Sequence, residues 1–76
     1  NPQNREMMRD LYKLLEKYEE PLNEDGYWVK LEAECNELYM KYNRDKLAFA
    51  LLAGLMDGLS AKLKAGASEQ IRMVGV

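Results

Sequence analysis

Histidine is absent from this chain, and cysteine occurs once, at Cys35. The first absence removes the commonest general base and the commonest metal ligand. The two together exclude a zinc site of the His/Cys type by count. A lone cysteine cannot close an intrachain disulfide. There is no Glu-x-x-His pair for a di-iron bundle and no glycine-rich phosphate loop after a strand. Proline is confined to Pro2 and Pro21, so few points break a helix. Charge of one sign does not dominate either. Eleven basic residues stand against 13 acidic ones, a net charge of −2, which gives no overall pull toward nucleic acid or an anionic membrane. The expectation is a protein with no catalytic residues, no metal and no cofactor, and with nucleic acid not its partner.

Long hydrophobic runs are also missing. The longest is Leu47 to Met56, LAFALLAGLM, followed at once by Asp57. A membrane span needs about 20 such residues, so no membrane segment is expected. The polar, charged start carries no secretory signal. With a single free cysteine, this fits a reducing, cytoplasmic setting. The first residue is Asn1 rather than Met, so Asn1 is not expected to be the natural start.

What the chain does contain is helix. At 76 residues it is one small domain. Such a domain buries only about 60% of its unfolded surface and often needs a staple. With disulfides and metals excluded, oligomerisation or unusually good packing remains.

Three amphipathic segments read as an all-α, up-down-up three-helix bundle spanning residues 1–66, with helices at about 2–20, 26–42 and 45–65 and a tail at 67–76. In the first helix, Asn1 or Asn4 is the candidate cap and Pro2 takes the first turn. Met7, Leu11, Leu14, Leu15 and Tyr18 share its inner face, with Met8 and Tyr12 at the edge. Arg5, Arg9, Lys13 and Lys17 are interleaved with Glu6, Asp10, Glu16 and Glu20, the pattern of a solvated face with ion pairs along one helix.

The connection PLNEDG is turn chemistry, with Asn23 or Asp25 as a candidate cap. Placing Gly26 at the sixth position of a calcium loop puts Asn23, Asp25 and Glu32 at ligand positions. The first position is then Pro21, which has no side-chain oxygen, so a capped turn is the default. In the second helix Trp28, Leu31, Cys35, Leu38 and Tyr42 follow the 3-4 spacing of a bundle seam. Lys30 with Glu34 and Glu37 with Lys41 are pairs four apart. Val29, Ala33 and Met40 form a weaker apolar strip on the far side. Residues 16 to 37 carry eight acids against Lys17 and Lys30, a surface that could meet a basic protein.

The third helix, capped by Asn43 or Asp45, organises the rest. On a wheel, Leu47, Ala48, Leu51, Leu52, Leu55, Met56, Leu59 and Leu63 fill one half. A stripe of small residues, Ala50, Gly54, Gly58, Ala61 and Ala65, adjoins them. Phe49, Ala53, Asp57, Ser60 and Lys64 are left for a narrow outer face. Small residues let a second helix come close. The default occupant is a neighbour in the same bundle; the alternative is the same helix of a second copy. Gly66 is the expected stop of this helix.

The functional expectation is a small non-enzymatic protein–protein interaction or assembly module, self-associating through helix three. Its candidate interface is Leu47, Ala50, Leu51, Gly54, Gly58 and Ala61, with Val29, Ala33 and Met40 as a second surface. The alternative is a small bacterial or mobile-element regulator of nucleic-acid processes, either a compact DNA-binding module or an acidic inhibitor of a nucleic-acid-binding protein. Arg44, Lys46, Lys62 and Lys64 could then touch phosphate, although helix three is too apolar for a recognition helix.

Overall fold

The computed structural model describes the backbone of residues 2–75 and the side chains of residues 2–66. It is an all-α three-helix bundle: α1 is Pro2–Tyr18, α2 is Asp25–Lys41 and α3 is Lys46–Gly75. Pro2 opens α1, a position where its missing N–H costs nothing; the expected cap Asn1 lies outside the described residues. Pro21 follows the end of α1 and prevents its continuation. At α2 the capping position is Glu24, in extended conformation and without a side-chain cap. Asn23 and Asp25 therefore do not cap the helix; the Glu24 carbonyl accepts from the Tyr27 N–H instead, at 3.2 Å.

The α2–α3 turn is closed more tightly. Asn43 and Arg44 both take left-handed backbone angles, φ 57° and 58°. The Arg44 N–H donates to the Tyr39 carbonyl at 2.9 Å and the Asn43 N–H to that of Met40 at 3.1 Å. This is the Schellman pattern, with asparagine where glycine is commoner. Of the two candidate caps, Asp45 is the one that caps α3, its Oδ2 accepting from the Ala48 N–H at 3.1 Å.

The core is built from the expected seams of α1 and α2, except that Leu15, expected on the inner face of α1, is 39% exposed. Leu14, Tyr18, Leu31, Cys35, Leu52 and Leu59 form one buried cluster, and Met7, Tyr42 and Ala48 form a second. Leu31 is fully buried, and Trp28 and Leu38 are half-buried against these clusters.

Helix α3 departs from expectation in two ways. First, the apolar arc is turned. The buried residues are Ala48, Leu52 and Leu59, while Leu47, at the edge of the apolar half beside the small-residue stripe, is 51% exposed. Two neighbouring helices cover only one arc of a third, and that arc lies nearly opposite the small-residue stripe. Second, α3 does not stop at Gly66. Glycine stops a helix by adopting positive φ, and among the described residues no glycine does. The segment after it has no proline, so the helix runs on to Gly75. At 1.5 Å per residue α3 is about 45 Å long against about 25 Å for its partners, in a molecule 51 Å in its longest dimension.

Among the described residues no helix is long and apolar enough to cross a membrane.

Candidate interaction surface

Two polar clusters fix α1 against α2. Near one end, the Tyr42 hydroxyl donates to Asp10 Oδ2 at 2.5 Å, and Lys41 Nζ reaches Asp10 at 2.8 Å and Glu6 at 3.2 Å. Near the other, Tyr18 donates to Glu34, which also pairs with Lys17 at 2.9 Å. These are inter-helix pairs. Glu6, Asp10 and Lys17 thus reach across to α2 instead of only pairing along α1. Donation from Lys41 and then Tyr42 holds the Asp10 carboxyl below its ordinary value, and donation from Tyr18 and then Lys17 does the same for Glu34. Burial, and then the accepting carboxylate, pushes Tyr18 and Tyr42 up to about 12. Tyr27 extends the arrangement, donating to the Tyr18 carbonyl at 2.6 Å and stacking edge-on against both Tyr18 and Trp28. Every one of these groups is engaged in holding helices together.

The other face of α1 is different. It runs alongside α3 in the same direction, and the seam between them is apolar and open. Met8, Leu11, Tyr12 and Leu15 face Leu51 and Leu55 across a surface cavity of about 280 Å³. A second, of about 420 Å³, continues it past Leu15 and Glu19 to Gly54, Gly58 and Lys62. Met8 is 56% and Tyr12 62% exposed. At the lower end Lys62 Nζ donates to the Glu19 carbonyl at 2.8 Å, closing the last turn of α1.

The small-residue stripe borders this groove. Ala50, Gly54, Gly58 and Ala61 are all exposed. A Cβ built on Gly54 or Gly58 would meet nothing within 4 Å. No helix of the same bundle lies over these glycines, which corrects the default expectation for the stripe. Close approach inside the bundle is made at Ala48 instead, against Met7 and Tyr42.

The structure therefore brings Leu51, Gly54 and Gly58 together with Met8, Tyr12 and Leu15, whose part in an exposed face was not apparent from the sequence. The wheel positions of Met8 and Tyr12 at the edge of α1 were the available signal; Leu15, expected on the inner face, gave none. Val29, Ala33 and Met40 are exposed on the outer side of α2, away from this groove. A third recess, about 320 Å³, lies between α2 and α3, with Cys35 at its floor and Tyr39 stacked edge-on against Phe49 at its rim. Burial pushes the Cys35 thiol up, away from the reactive thiolate form.

No protein-family model, curated protein or solved structure matches the chain.

Proposed function

We propose that this chain is a small non-enzymatic interaction module that self-associates through α3 and the adjoining face of α1. The observation that supports this is the open apolar groove between Met8, Tyr12 and Leu15 on one side and Leu51 and Leu55 on the other. Soluble monomers rarely leave large contiguous apolar patches uncovered, and such patches mark interaction sites. A domain of this size also gains most from association. The free, buried thiol of Cys35 supports a reducing, cytoplasmic setting for it.

Sedimentation equilibrium over a concentration series tests the proposal. The 8.8 kDa chain should pass from monomer to dimer as its concentration rises into the micromolar range. Tyr12→Asp, at an exposed position, should leave helicity intact and shift the population to monomer. Val29→Asp, on the outer side of α2, should change neither. A native chain that remains monomeric at high micromolar concentration would overturn the reading.

A further inference from the structure

We infer that the occupant of the α1/α3 groove is a second copy of the chain, seated antiparallel, with its direction set by charges along α1. This rests on the self-association proposed above and specifies its geometry. Met8 lies level with Leu51 and Glu19 level with Lys62. The mid-height of the groove is therefore between Lys13 and Leu14 on α1 and just past Leu55 on α3; Lys13 there borders the α1/α2 side.

The exposed flank of α1 beside the groove is polarised about that point. Arg5 and Arg9 lie above it; Glu16 and Glu19 lie below. The remaining acids of the upper half, Glu6 and Asp10, turn to the other side and pair with Lys41. A two-fold axis across the groove inverts the second copy and lays α1 on α1. Arg5 and Arg9 of each copy then meet Glu16 and Glu19 of the other, at both ends of the interface. The same inversion lays α3 on α3, where the bare glycines at mid-height allow the backbones to approach. An axis along the helices would instead set Arg5 and Arg9 opposite the start of α3, which carries Lys46, and like charges would meet there. Two features oppose the antiparallel seating: Lys62, whose ammonium sits beside Glu19 where Arg5 and Arg9 of the other copy arrive, and the flank of α3. Lys46 and Lys64, on the outer flank of α3, come to similar heights in the two copies. That exposed like-charge pair is outnumbered by the opposite-charge contacts of α1.

Charge reversal tests the direction. R5E/R9E places acids near the start of α1 and E16K/E19K places bases near its end, so both changes suit the helix dipole and the folds should hold, as far-UV circular dichroism will register. In sedimentation equilibrium at low salt each double variant should self-associate roughly tenfold more weakly than the native chain. A one-to-one mixture of the two should recover native affinity as a mixed dimer, and K64E should tighten the native association. A native dimer whose affinity neither double variant changes, or variants that weaken but fail to recover on mixing, would overturn the antiparallel seating while leaving self-association standing. A native chain that never dimerises would overturn both.

Discussion

Replacing Gly54 and Gly58 by alanine should stabilise the isolated chain. Interior glycine costs a helix about 0.5–1 kcal/mol relative to alanine, because the unfolded chain loses more freedom on folding. That gain is usually offset when the new methyl meets a neighbour. Here it meets nothing within 4 Å at either position, and neither glycine has a positive φ. The two substitutions should therefore act independently and together add about 1–2 kcal/mol. In a domain of this length each kcal/mol raises Tm by about 4–8 °C. The measurement is urea unfolding followed by far-UV circular dichroism, at a concentration low enough to keep the chain monomeric. Gly54→Leu extends the series. Leucine is also a better helix former than glycine and has room in the monomer, so that variant should stay folded while losing dimer. If either alanine variant lost about 1–3 kcal/mol, the cost expected of overpacking, a helix of the same chain would have to lie over the stripe and the placement of α3 would be wrong.

Leu31→Ala, at a fully buried position, should cost about 2–5 kcal/mol in the same assay, against little or no change for Val29→Ala on the exposed side of α2. A cost under about 1 kcal/mol would remove Leu31 from the centre of the core. Tyr42→Phe should cost about 1–2 kcal/mol, because Asp10 loses a donor but keeps Lys41. Stability should also fall at both extremes of pH. Asp10 and Glu34 titrate below their ordinary values of 3.8 and 4.5 in the folded chain, so their contribution is present above those values and is lost as the pH drops through the lower folded ones. Tyr18 and Tyr42 are raised from 10 to about 12, so their contribution is complete below pH 10 and is lost between 10 and 12. Unfolding midpoints across pH will read both limbs, and Tyr18→Phe/Tyr42→Phe should flatten the alkaline one. Emission of Trp28, half-buried beside Tyr27 and the core, should lie between the fully buried and fully solvated positions and move red on unfolding. A native spectrum already at the solvated limit would contradict that packing.

The sequence by itself determined the number of helices, their order, most of the seams of α1 and α2, and Asp45 as one of two candidate caps of α3. These depend on local periodicity, turn chemistry and a side chain bonding three residues ahead, all of which act within a few residues. It also determined that no site of the His/Cys kind could be assembled, since composition survives any fold. The rotation of α3 was decided by tertiary structure. Its wheel shows an apolar arc wider than two neighbours can cover, and nothing local says which part they take. Packing chose Ala48, Leu52 and Leu59, because Ala48 is small enough to sit under Met7 and Tyr42. That turn placed Leu47 and the glycine stripe outside and opened the groove beside Tyr12. The partners of Glu6, Asp10 and Lys17 were likewise beyond local reading. Glu6 and Asp10 have Arg9 and Lys13 one turn away on their own helix, yet both reach Lys41, and Lys17 reaches Glu34 on α2. Only the register of the two helices makes the second partner closer.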